Sequence, residues 1–149
     1  MENLEKETIQ KLNDDVLDHM MNPRNYGKLQ NATCVGMGVD KKTNEYGLMY
    51  LDIKDDKIND VKFGCNACQD TVVAGSFFTE MIKGASLDYA IKSSSMLKEK
   101  IKDAPKKQQA CTNMILLAFD AALIHKDSNK QKDMHIINLK ESCDIEEEN

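Results

Sequence analysis

Apolar residues recur every three or four positions through Ile9, Leu12, Val16, Leu17, Met20 and Met21, a stripe along one helical face that must end before Pro23. The segment 22–27 (Asn-Pro-Arg-Asn-Tyr-Gly) reads as an ordered loop, because Pro fixes φ, restricts the residue before it, and is followed by a permissive Gly. Thr33, Val35, Met37 and Val39 then alternate with Cys34, Gly36 and Gly38, which predicts a strand with an unusually small second face. Residues 48–54 and 57–63 are strand-like and flank Asp55-Asp56, so they predict an antiparallel hairpin with Met49, Leu51 and Ile53 on its inner face.

The pattern then changes period. From residue 69 to 83, Val73, Phe77 and Met81 fall at helical spacing, and Gly84 stands where a carboxy-terminal cap belongs. A second helical stretch covers 86–101, with Ser94 or Ser95 as an internal cap, until Pro105 interrupts. A third, 108–125, carries Cys111, Ile115, Leu116, Phe119, Ala122 and Leu123 on one stripe. Beyond Lys126 the pattern fades into a polar, acidic tail. The expectation is an α+β fold: a small antiparallel sheet of about three strands packed against helices, with one domain over 1–126 and a tail over 127–149.

Composition narrows the function. With 149 residues, 41% hydrophobic and 30% charged, the chain can bury a real core as one domain. No apolar run approaches the ~20 residues of a membrane span, so no membrane association is expected. A net charge of -5, without basic residues interleaved with aromatics, gives nucleic-acid binding no support. Glu2, Glu5, Glu7, Asp14 and Asp15 are unlike a targeting segment, which points to the cytoplasm. In that compartment five cysteines serve metal binding, catalysis or core filling rather than a disulfide framework.

Cys65 and Cys68 form a CxxC where a strand leads into a helix, a turn that can bring two thiolates to one metal ion. Cys68 and Cys111 each precede or open a predicted helix, where backbone N–H groups favour thiolate over thiol. Packing accounts stand beside these. Cys111 belongs to an apolar stripe, Cys65 continues the inward face of Val61 and Phe63, and Cys34 on the glycine face reads as packed. Cys143, His19, His125 and His135 have no partner assigned by spacing. An independent zinc ribbon would need a second CxxC or two His, and a thiol-disulfide oxidoreductase would place its CxxC in a βαβ unit.

The run Asp18-His19-Met20-Met21-Asn22-Pro23-Arg24-Asn25-Tyr26-Gly27 resembles the DHxxNPRNxG opening of the IscU/NifU amino-terminal family of iron-sulfur cluster assembly scaffolds. The resemblance continues through Phe63 to Cys68, Thr79 to Leu87, Pro105 and Cys111, covering about residues 10–125. It implies a carrier, not an enzyme, on which iron and sulfur from a cysteine desulfurase are assembled and passed to apo iron-sulfur acceptor proteins. The family's second and third cysteines fall on Cys68 and Cys111. Counted without gaps from Gly27, its first cysteine falls on Tyr46 and its aspartate on Leu48; its histidine before the third cysteine is Ala110, and its chaperone-docking Leu-Pro-Pro-Val-Lys is Ala104-Pro105-Lys106-Lys107-Gln108.

Cys65 appears as the first family cysteine is lost. The expected site is therefore Cys65, Cys68 and Cys111, holding iron or an iron-sulfur cluster of the 2Fe-2S type, with zinc able to occupy the same thiols. A fourth position is left for Cys34, a histidine, a small molecule or a partner chain, and a homodimer or sister scaffold is the remaining expected partner. The alternative is a degenerate paralogue acting as a non-catalytic adaptor or zinc-binding regulator of the cluster-assembly machinery.

Overall fold

The computed structural model describes residues 14–66, 69–128 and 133–140. Three antiparallel strands form where the alternation predicts them: β1 (Cys34–Asp40), β2 (Glu45–Lys54) and β3 (Lys57–Cys65). Asp55 and Asp56 join β2 to β3 with φ of 52° and 58°. Two successive left-handed residues make a tight turn whose twist matches that of the flanking strands, and Asp tolerates this region better than most side chains.

The expected three-stranded antiparallel sheet is corrected by a fourth strand. β4 (His135–Asn138) pairs in parallel with β1, so the sheet is mixed and runs β3-β2-β1-β4. Four residues are too few for an alternation to stand out, which is why this stretch reads as tail from its pattern alone.

The helix α1 is described over 14–21 and ends ahead of Pro23. α2 (Gln69–Ile82) is followed by Gly84 at φ +78°, the left-handed position a helix end favours. In α3 (Leu87–Lys100), Ser86 Oγ accepts the Tyr89 N–H at 3.1 Å as an amino-terminal cap. This helix runs unbroken through buried Ser93 and Ser94, so the internal cap expected at Ser94 or Ser95 does not occur. After a 3-10 turn (Ile101–Asp103) and Pro105, α4 (Lys106–Asp127) forms the longest element. Among the described residues, no helix is long and apolar enough to cross a membrane.

The glycine face of β1 is the face that α4 covers. Cys34, Gly36, Gly38 and Asp40 are buried there, while Val35, Met37 and Val39 alternate outward. A Cβ at Gly36 would stand 2.1 Å from the Ala118 carbonyl oxygen and 2.2 Å from the Ala122 nitrogen, and one at Gly38 would stand 2.4 Å from the Met114 carbonyl oxygen. Only hydrogen fits, so the helix backbone lies directly on the strand backbone, with buried Ala118, Ala121 and Ala122 as the matching strip. On β3 the same device appears once more, because Gly75 of α2 receives the Phe63 ring, whose Cδ2 a Cβ would meet at 2.4 Å.

The core between these layers contains Met49, Leu51, Val61, Phe63, Phe78, Ile82, Leu116 and Phe119. The buried face of α2 is Thr71, Gly75, Ser76, Phe78, Thr79 and Ile82, turned away from the Val73-Phe77-Met81 stripe. That stripe instead meets α1: Val16, Met20, Val73 and Phe77 line one groove, and the His19 and Phe77 rings pack edge to face at 5.6 Å. At the other end of β1, His125 Nδ1 accepts the Val35 N–H at 3.0 Å, one residue before the pairing with β4 begins.

Gly36→Ala is expected to lower the unfolding free energy by about 3 kcal/mol or more in urea titrations, because backbone atoms must move to admit a methyl group. Gly64→Ala, where nothing lies within 4 Å, is expected to change it by less than about 0.5 kcal/mol.

Candidate functional site

The loop after α1 is pinned from several sides. Ser76 Oγ accepts the Arg24 N–H at 2.8 Å and shares a hydrogen with His19 Nδ1 at 2.6 Å. Asn25, at φ 60°, donates its side-chain amide to Thr79 Oγ1 at 3.1 Å and Glu80 Oε1 at 3.2 Å. Its carbonyl accepts the Phe63 N–H at 2.9 Å, Gly27 N–H donates to the Phe63 carbonyl at 2.8 Å, and Tyr26 Oη donates to the Cys65 carbonyl at 3.1 Å. The residues of the DHxxNPRN run therefore hold α1, α2 and the end of β3 together, and Cys65 sits at that end. Arg24 and Asn22 hydrogen-bond the Asp18 carboxyl and hold it below the usual carboxylate range.

Cys65 is half-buried and pairs across the ladder with Gly47. Next to it, Asn66 clamps β3 to the start of β2: its Oδ1 accepts the Tyr46 N–H at 2.7 Å, its N–H donates to the Tyr46 carbonyl at 3.3 Å, and its amide donates to the Asn44 carbonyl at 3.3 Å. Cys68 lies outside the described residues, one residue before the first of α2. On α2, the buried Thr71 Oγ1 donates to the Cys111 carbonyl at 3.1 Å, which locks the first turn of α2 to α4.

Cys111 is buried beside Ala110, Met114 and Leu139. It is the sixth residue of α4, because the helix starts at Lys106 rather than at 108. The first-turn dipole argument for its thiolate is thereby corrected: the effect falls off within one turn, and Cys111 stands in the second.

Side-chain alternation sorts the remaining candidates. Glu45, Gly47, Met49 and Leu51 share one face of β2, and Gly47 pairs with Cys65, so this face carries the thiol. Tyr46 and Leu48 lie on the opposite face, away from Cys65. There the Tyr50 phenol is pushed up by burial and then by Tyr46. Cys34 pairs with Leu51, four residues or about 13 Å along β2 from Gly47, and is fully buried, in keeping with its packed reading.

Two acids were missed by spacing arguments. Asp40 extends the inward series Cys34, Gly36, Gly38 by one step, and Glu45 extends Leu51, Met49, Gly47 by one; they pair with each other across β1 and β2. Carrying each alternation one residue further would have found both. Gly36 lies under Ala118 and Ala122 and Gly38 under Met114, so Asp40 comes next along β1 toward the turn of α4 that holds Cys111. Among the described residues, no three His, Cys, Asp or Glu side chains gather in a group that could hold a metal ion.

One end of a two-layer α+β fold thus collects the ends of β1 and β3, the start of β2 and the beginnings of α2 and α4. The family model described as the NifU-like N terminal domain matches residues 11–133, and the chain belongs to that family. Among its relatives, the iron-sulfur cluster assembly scaffold protein IscU 1 of Archaeoglobus fulgidus is 32% identical over 112 residues, spanning 74% of this chain and 73% of its own. The scaffold protein IscU of Aquifex aeolicus is 32% identical over 114 residues, with the same coverage of 74% and 73%. The fold is shared with FiSufU of the SUF system from Fervidobacterium islandicum AW-1, at a TM-score of 0.64 and 20% identity over 73% of this chain and 93% of that one. It is shared also with the amino-terminal part of a NifU-like protein from Brucella abortus, at 0.62 and 16% over 76% and 92%.

Asn66→Ala is expected to speed hydrogen exchange at the Tyr46 amide and to cost about 1 kcal/mol of stability. For Asp18, the lowered folded value means that its contribution is present above the ordinary carboxylate range and is lost as pH falls through that lowered value. Melting curves of Asp18→Asn should therefore lie below those of the native chain at neutral pH and converge with them in strong acid.

Proposed function

We propose that this chain is a scaffold that assembles iron and sulfide into a labile cluster of the 2Fe-2S type and delivers it to apo iron-sulfur acceptor proteins. Cys65, Cys68 and Cys111 are the proposed ligands. The observation that carries this reading is the pairwise joining of four elements at one end of the fold, since Asn66 ties β3 to β2 and Thr71 ties α2 to α4 at Cys111. The scaffold names and the extent of the relatives support it.

In this reading the cluster is cargo. Thiolates are soft donors that suit iron-sulfur clusters, and an incomplete protein shell favours release over retention. A cysteine desulfurase supplies the sulfur, the chain itself turns nothing over, and zinc competes for the same thiols. The chain acts in the cytoplasm, and its working unit reaches past the expected boundary at 126, since α4 runs to Asp127 and β4 (His135–Asn138) pairs with β1. A second reading, an adaptor without a cluster, draws on Tyr46 and Leu48 facing away from Cys65.

Anaerobic reconstitution with ferric iron and sulfide tests both. The native chain is expected to develop sulfur-to-iron charge-transfer absorbance and to transfer a cluster to an apo-acceptor, and Cys65→Ser, Cys68→Ser and Cys111→Ser are each expected to lose the absorbance. A native chain that stays colourless would favour the adaptor.

A further inference from the structure

We propose that the acidic segment 141–149 docks in the groove between β4 and the corner of α3 and α4, with its carboxylates on Lys98, Lys102 and Lys140. The groove has a volume of about 480 Å³. Ile101, Leu117 and Ile137 give it an apolar lining, the three lysines give it positive charge, and no Asp or Glu lines it among the described residues. One wall is already fixed: Gln109 Nε2 donates to the Lys102 carbonyl at 3.1 Å and to the Ala104 carbonyl at 2.6 Å. A preformed surface gives up less freedom when it is covered.

The charge of the chain is unevenly divided. Glu141, Asp144, Glu146, Glu147 and Glu148 stand among the nine residues after Lys140, which include no Lys or Arg. The net charge of the whole chain is -5, so the residues before this segment are balanced and the segment carries the entire excess. Lys98 meets Asp120 at 2.5 Å and Lys102 meets Glu99 at 2.9 Å, but these side chains are solvent-accessible and such pairs contribute little. An ammonium has three donors, so each lysine can take a further carboxylate. Cys143 and Ile145 are the apolar residues the segment brings to the apolar lining.

Connectivity favours this occupant over a free one. The Leu139 N–H donates to the Val39 carbonyl at 2.8 Å, so the chain is held against β1 up to that residue, and Lys140 after it lines the groove. The segment 141–149 therefore starts at the groove itself. Nine extended residues reach about 30 Å, and a short tether holds them at roughly millimolar effective concentration. Docking anchors the four-residue β4 to α3 and α4, and it makes no use of the thiol site.

A zero-length carbodiimide, which joins lysines to carboxylates in contact, tests this on a mixture of unlabelled and heavy-nitrogen-labelled full chains, read by peptide mass spectrometry. Acids of 141–149 are expected on Lys98 and Lys102 within one chain, with the yield falling about fivefold or more in ~1 M salt, where the screening length is about 3 Å. Mixed-label products would overturn the proposal in favour of tails exchanged between copies. Tail acids joined only to other lysines, or to none, would overturn it and leave the groove to an acidic segment of another protein. Because cross-linking can trap a passing encounter, cleavage of the tail by a glutamate-specific protease is the second measurement, normalised to the free 141–149 peptide. Lys98→Gln combined with Lys102→Gln is expected to speed that cleavage about fivefold or more. Equal cleavage of this variant and the native chain would overturn the docking even where cross-links form.

Discussion

The backbone of α4 rests on the backbone of β1 at Gly36 and Gly38, and that contact determines where the other candidate groups stand. With no Cβ between them, helix and strand have one rotational phase in which Ala118, Ala121 and Ala122 meet the glycines. In that phase Met114 covers Gly38 and Gly47, and Cys111 lies one turn closer to the ends of β1 and β2. A side chain at either glycine would tilt the helix, and the displacement would grow toward Cys111.

The opening DHxxNPRN run acts at the other side of the same end. Its polar residues do structural work: Asp18 pairs with Arg24, His19 and Arg24 meet at Ser76, and Asn25 reaches Thr79 and Glu80. The short polar residues Ser76 and Thr79 on the inward side of α2 exist to receive them. A motif that looks like chemistry in the sequence serves here to position the strand that carries Cys65.

Local signals were readable because they act over a few residues. The Asp55-Asp56 hairpin, Gly84 after α2 and the stripe on α4 all form where their spacing predicts. The small face of β1 was visible too, although its meaning, a seat for a helix backbone, requires the partner element. What spacing could not supply was nonlocal. β4 is too short to carry a period and depends on β1 for its register. Phe77 and Phe78 are both apolar, and only the positions of α1 and β3 decide which of them enters the core. Tyr46 and Leu48 drew attention by ungapped counting, yet the two-residue alternation of β2 turns Glu45 rather than either of them toward Cys65. The motif drew attention to Cys65 and Cys68, and strand register was needed to say which residues share the face of Cys65.

The pairing of Asn25 and Gly27 with Phe63 has a consequence for the protein in a crowded solution. The outer edge of β3 would otherwise offer bare N–H and C=O groups to any extended chain, and the loop occupies them at Phe63. At the opposite margin β4 is only four residues long, which limits how well a foreign strand could dock. A short last strand and a looped-over first one guard the sheet against edge-to-edge aggregation.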